Sequence, residues 1–292
     1  MFACLCPLPR ETDAIAVLRQ WRRPPAPQMI RVETPGGAPF FRLECAPRKG
    51  VIPWNAVEHA AGRCRTRMLF PEGICPPAPP SPGRAMLEPG LRAFEAKRLP
   101  LLLHLQAAMQ VLRRCETPAQ KLSVTLVDPK GILCRCVEPL VMLAGSLRVF
   151  TPDFAVYRAA AAQLLIRYGV TLILSDSVGC FAQSDVIVAQ ELSLFTGRER
   201  GLIFSPDSQT PLPQCRVVRV GLPELPPAYA ALCPPGINPL RFAGALFELC
   251  GVKEMERLRF NGFWLKGRQA PLCAGELAAL VDQAAVPDFS RV

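Results

Sequence analysis

Between Leu122 and Gln190, short runs of apolar and β-branched residues alternate with longer runs of helical character. LSVTLV (Leu122–Val127) is apolar enough to be a strand buried on both faces. SLRVFT, VTLILS and SDVIVA repeat that character, predicting strands over Leu147–Thr151, Val170–Ser175 and Val186–Ala189. The run YRAAAAQLLIRY predicts a helix that Pro152 opens and Gly169 stops. ILCRCVEPLVMLA, Ile132–Ala144, is expected to be the first crossover helix in spite of Pro139. Strand, helix and strand in this order specify a parallel sheet with crossover helices. Right-handed crossovers order its first strands 3-2-1-4. Leu202–Ser205 and Arg216–Val220 are candidate further strands. Pro239–Cys250, Glu254–Phe260 and Gly275–Ala285 are candidate helices, which pack either on the sheet or on the N-terminal part.

The first 120 residues read differently. Ala14, Val17, Leu18 and Trp21 fall on one face of a predicted helix over Glu11–Trp21, with Thr12 or Asp13 as its cap. Met29–Glu33 and Pro39–Cys45 predict two strands joined by the turn TPGGA. A helix is expected over Pro53–Arg63 and a strand over Thr66–Phe70. The Pro- and Gly-rich Glu72–Pro89 predicts an irregular connection. Leu91–Arg114 is expected to be mostly helical and kinked at Pro100. The fold class read from the pattern is therefore α/β: a Rossmann-like parallel sheet with crossover helices over residues 121–292, preceded by a smaller, Pro-rich α+β region over residues 1–120.

Composition limits what such a chain does. The 292 residues carry a net charge of +10, and 18 of the 34 Lys and Arg lie before Leu122. No apolar run is long enough to span a membrane, and Phe2–Leu8 is too short for a secretory signal. Thirteen scattered cysteines without such a signal fit reduced thiols, so a cytoplasmic location is expected. Cys4-x-Cys6 and Cys134-x-Cys136 have one intervening residue, short of zinc-site spacing, and the chain has only two histidines, so no metal is expected. His104 reads as a satisfied core residue. Cys134 and Cys136, at the start of the expected crossover helix, are candidates for a lowered thiol pKa. Arg22-Arg23, Arg113-Arg114 and the alternating Arg63, Arg65 and Arg67 give the N-terminal charge its form. On an extended segment the last three share a face and suit an anionic partner, a polyanion or nucleic acid.

In an open parallel sheet, ligands sit at the carboxyl ends of the strands. The candidate cofactor-binding residues there are Asp128, Lys130 and Gly131 after the first strand, Thr151 and Asp153 after the second, Ser175 after the third, and Gln190 after the fourth. A dinucleotide fold places GxGxxG in the first of these loops, where glycine lets the backbone approach the pyrophosphate. This chain has Asp128-Pro129-Lys130-Gly131, with one glycine and an acid that repels an anion. NAD(P) binding is weakened accordingly. Asp153 doubles as a helix-start acid, and the capping role is favoured.

VFTPD, YRAAAAQLLIRYG and SDVIVA, with SPDSQTPLP (Ser205–Pro213) and FAGALFELCG (Phe242–Gly251), resemble the cofactor-binding half of shikimate dehydrogenase-like proteins over Leu122–Gly251. The resemblance implies a Rossmann half and, if its activity is retained, an NAD(P)-dependent oxidoreductase. The Gly-rich loop is missing, Gln190 and Glu191 replace the family's Asn/Thr region, and neither Lys49 nor Lys97 has the context of the catalytic lysine. The expectation is a divergent, non-catalytic Rossmann-like protein, a ligand sensor or assembly partner. The alternatives are the oxidoreductase and a polyanion binder.

Overall fold

The computed structural model describes residues 1–8, 25–47, 51–77 and 90–285. The helix expected over Glu11–Trp21, the Arg22-Arg23 pair, Lys49 and most of the proline-rich connection lie outside the described residues. The chain divides into two units. One comprises Met1–Leu99 and Glu224–Arg259, the other Pro100–Pro223 and Phe260–Val292. The boundary expected at residue 120 thus falls earlier, and a late segment joins the first unit.

In the first unit, β1 (Ala3–Pro7), β2 (Gln28–Glu33), β3 (Pro39–Cys45) and β4 (Met68–Leu69) form a sheet of order β2-β3-β1-β4. β2 and β3 are the antiparallel hairpin predicted around TPGGA, while β1 runs parallel to both β3 and β4. Period-two alternation gives this sheet two apolar faces. Ala3, Leu5, Leu43 and Cys45 pack with Val57 and Ala61 of α1 (Trp54–Ala61). On the opposite face Phe2 stacks on Phe40 with ring centroids 5.3 Å apart, and Phe242 meets both edge-on.

The second unit contains β5 (Ser123–Val127), β6 (Ser146–Phe150), β7 (Leu172–Ser175), β8 (Val186–Ala189), β9 (Leu202–Phe204) and β10 (Arg216–Val220). Between its two segments, the stretch belonging to the first unit is bracketed by β11 (Pro223–Glu224) and β12 (Arg259–Phe260), which pair with each other. β13 (Phe263–Leu265) completes a seven-stranded sheet of order β13-β10-β9-β8-β5-β6-β7. All its pairs are parallel except β10 with β13. Read from β5, the parallel strands stand 3-2-1-4-5-6, the doubly wound Rossmann-like order, and the first four match the predicted arrangement. The helices beside this sheet are α2 (Arg98–Leu112) and α3 (Ala155–Tyr168). α4 (Pro227–Ala230) and α5 (Pro239–Cys250) belong to the first unit, and α6 (Ala274–Ala285) to the second. Asn238 caps α5 by accepting from the N–H of Leu240 and Arg241, Pro239 sits in its first turn, and left-handed Gly251 ends it.

Three helical expectations need correction. Ile132–Ala144 is a chain of turns with one short 3-10 segment, Glu138–Leu140; an α-helix cannot continue through Pro139, which has no N–H to donate. Glu254–Phe260 is likewise a 3-10 turn, Lys253–Arg257, followed by β12. The helix predicted from Leu91 starts only at Arg98, so Pro100 lies in its first turn, where a missing N–H costs nothing, and does not divide it. Among the described residues no helix is long and apolar enough to cross a membrane.

His104 ties α2 to the sheet. Nδ1 donates to the Pro100 carbonyl at 2.7 Å, and Nε2 accepts from the Val220 N–H at 3.2 Å, so the buried ring is held neutral in one tautomer. Burial pushes its pKa down to about 4; the Pro100 carbonyl opposes the fall and the Arg219 charge adds to it. Because the folded value lies below the ordinary 6.5, the unfolded chain takes up this proton first. The stability contributed is complete above pH 6.5 and is lost as pH falls through about 4. A shift of this size corresponds to about 3 kcal/mol. Urea unfolding across this range is expected to show that decline in the wild type, and a smaller one in His104→Gln.

Candidate functional site at the carboxyl edge of the sheet

The register brings the predicted residues into one row. Val127, Phe150 and Ser175 are aligned across β5, β6 and β7, and Val127 is aligned with Ala189 of β8. Asp128, Thr151 and Gln190 therefore lie side by side one residue past those positions, and Ser175 stands one residue short of them at the end of β7. Lys130 and Asp153 stand in the loops beyond and are exposed.

Asp128 is turned inward. Its side chain is buried, and its carboxylate accepts from the N–H of Ile132 (2.9 Å) and Leu133 (2.6 Å) and from the hydroxyl of Tyr157. It serves as the acceptor for its own loop. Asp128-Pro129-Lys130-Gly131 is a tight turn closed by the Gly131 N–H on the Asp128 carbonyl. Gly131 has φ +67°, and a Cβ there would stand 2.2 Å from Cγ1 of Val156, so the turn lies directly against α3. Burial pushes the Tyr157 phenol up, and the neighbouring Asp128 charge and hydrogen bond push it further, so Tyr157 remains a donor.

The row continues with backbone acceptors of the same kind. Thr151 is buried, and its hydroxyl and the Asp153 backbone form a local turn. The Asp153 carboxylate accepts from the N–H of Ala155, the first residue of α3, while the N-cap position itself is held by Phe154, so Asp153 stands one residue ahead of the capping position expected for it. Ser175 and Ser177 form a similar turn after β7. The buried Ser205 hydroxyl, after β9, donates to the Gln190 carbonyl. Two residues on, Asp207 gathers the N–H groups of Leu192, Gln209 and Thr210 and the Thr210 hydroxyl. Burial raises the Asp207 pKa, but these hydrogen bonds outweigh it and hold the carboxyl at about 2.

The loop after β5 spends on Asp128 the N–H groups of Ile132 and Leu133. A Rossmann cofactor site offers its diphosphate free N–H groups at a helix N-terminus. Here the corresponding N–H groups already bond to Asp128, and no helix follows. The same absence removes the helix N-terminus expected to activate Cys134 and Cys136, both half-buried. On β6, Arg148 keeps Nη1 buried with no hydrogen-bond partner among the described residues. Burial pushes the nearby Cys180 thiol up, opposed by a hydrogen bond with Ser175 and by the Arg148 charge.

Tyr157 and Asp207 are the working residues that motif reasoning missed. The usable signal for Tyr157 was its spacing of seven from Leu164, which puts the two buried residues of α3 on one face. In the first unit, Arg63, Arg65 and Arg67 do not share the expected extended face. Gly62–Cys64 is a 3-10 turn running into a further turn, and Arg65 is half-buried while the other two are exposed. Among the described residues no cluster of His, Cys, Asp or Glu is placed to hold a metal ion. Comparison with protein-family models and with curated proteins finds no match to this sequence.

Removing the Asp128 carboxylate leaves three donors without an acceptor. Asp128→Ala is expected to lower stability by about 3 kcal/mol and Tyr157→Phe by about 1–2 kcal/mol, read from urea denaturation midpoints. For Asp207 the folded pKa is depressed, so its contribution is present above the ordinary 3.8 and is lost as pH falls through about 2. Asp207→Asn is expected to cost about 1–2 kcal/mol at neutral pH and to shrink the loss of stability across that acid window, measured by thermal melts.

Proposed function

We propose that this chain is a divergent Rossmann-like protein that acts as an assembly partner and not as a nicotinamide-dependent enzyme. The observation that carries the reading is the Asp128 carboxylate, which takes up the N–H groups of Ile132 and Leu133 where a diphosphate would sit. A second support is the lack of an α-helix after β5, which takes away the dipole that favours an anion there. The oxidoreductase reading, drawn from the resemblance to shikimate dehydrogenase-like proteins, requires that loop to be open. The thirteen thiols, all without disulfides, favour a reducing, cytoplasmic setting for the assembly.

The test is a thermal-shift screen of the intact chain with NAD, NADP, adenine and guanine nucleotides and S-adenosylmethionine. A ligand at one hundred times its dissociation constant stabilises its protein by about 2.7 kcal/mol. No shift is expected from any of these compounds. A saturable rise in melting temperature with NAD or NADP, abolished in a variant of the strand-end row such as Thr151→Trp, would overturn the reading.

A further inference from the structure

Sheet edges with free backbone groups invite pairing, and proteins blunt them with charges, prolines, bulges or covering segments. Among the described residues, three of the four outer strands of the two larger sheets are managed in that way. β13 exchanges hydrogen bonds with Leu272, β4 is bridged by Ala93, and β2 carries Arg31 and Glu33 along its exposed length. Among the described residues β7 has none of these devices: it pairs only with β6, and Val170–Ser175 contains no charge and no proline.

The direction of its free groups follows from the ladder. The Thr151 N–H donates to the Ser175 carbonyl, so Ser175, and by alternation Ile173, point their backbone groups toward β6. Leu172 and Leu174 therefore present their N–H and C=O groups outward. Apolar side chains accompany them: Ile173 is 44 % exposed, Val178 just beyond the strand 44 %, and Leu165 and Ile166, in the last turn of α3 before it, 56 % and 83 %.

We infer that β7 is an interface for a second copy of this chain, formed by antiparallel β7–β7 pairing about a two-fold axis at Ile173. This rests on the assembly reading above and names its partner. In that register Leu172 of each copy faces Leu174 of the other, and about four N–H···O=C bonds close between them. Ile173 meets its own copy in the closely spaced, non-hydrogen-bonded position. A two-fold contact sets residues near the axis against themselves, so a charge there would repel its counterpart. Leu172, Ile173 and Leu174 carry none. The flanking charges are of opposite sign, Arg167 before the strand and Asp176 after it. Antiparallel pairing turns the basic end of one copy toward the acidic end of the other. Arg167 also bonds to Glu138 at 3.2 Å within its own chain, with its side chain left mostly exposed.

Sedimentation equilibrium of the full chain over about a hundredfold range of concentration tests this. The wild type is expected to have twice the mass of the monomer. Ile173→Lys places like charges on the axis and is expected to halve that mass without altering the far-ultraviolet circular dichroism. Leu174→Pro removes an N–H that faces away from β6, so it too is expected to give a monomer with an intact fold. A wild type that stays monomeric throughout overturns the β7 interface. So does a dimer that persists in a folded Ile173→Lys variant. Neither result touches the assembly reading itself, which fails separately, on a dinucleotide-dependent shift in the ligand screen.

Discussion

The second unit is organised around one buried carboxylate. In a doubly wound sheet the first crossover normally leaves β5 as a loop and enters an α-helix, whose first N–H groups are then free for a ligand. Pro139 denies this chain that helix, and the segment returns to β6 through turns. Its leading N–H groups still need acceptors, since a buried donor without one costs about 1–3 kcal/mol. Asp128 supplies them from the end of β5, and Tyr157 supplies a third donor to the carboxylate from α3. One side chain thereby joins strand, crossover and helix. It does so at the position through which a Rossmann sheet ordinarily does its chemistry.

The same solution recurs at several places in the second unit. Asp185 accepts from the N–H and hydroxyl of Ser123, Asp282 from the N–H groups of Glu116 and Thr117, and Glu199 from Thr196 and Gly197. Asp207 does this for the loop after β9, and Glu276 for the entrance to α6. A chain with 32 prolines cannot satisfy its backbone chiefly through long helices, so short-range acceptors carry more of the load. Among the described residues Asp128, Asp185, Glu199, Asp207 and Asp282 each accept from N–H groups of the chain itself.

What could be read from the sequence follows the same division. The strands were legible because buried parallel strands are nearly continuous apolar runs, and the handedness of crossovers then ordered the first four. The connections were not legible, because composition alone does not weigh one proline against twelve helix-compatible neighbours. ILCRCVEPLVMLA has helical content everywhere except at Pro139, and that residue decided the matter. Arg63, Arg65 and Arg67 failed for a related reason: alternation has meaning only on an extended backbone, and Gly62 starts a turn instead. At the candidate site the row Asp128, Thr151, Ser175 and Gln190 came from strand ends alone. The direction of Asp128 did not, because it depends on Tyr157, twenty-nine residues away.

The closed carboxyl edge and the open lateral edge are two outcomes of one economy of backbone groups. At the strand ends, donors that a cofactor could have used are matched by the protein's own acids and hydroxyls. Along β7 no such internal partner is supplied among the described residues, although the strand is apolar and its outward N–H and C=O groups come from Leu172 and Leu174. A fold that satisfies its loops this thoroughly has little reason to leave a charge-free edge strand unguarded unless something pairs with it. At the strand ends the loop donors are met within the chain, whereas the outward groups of Leu172 and Leu174 are the ones on which the proposed β7 pairing rests.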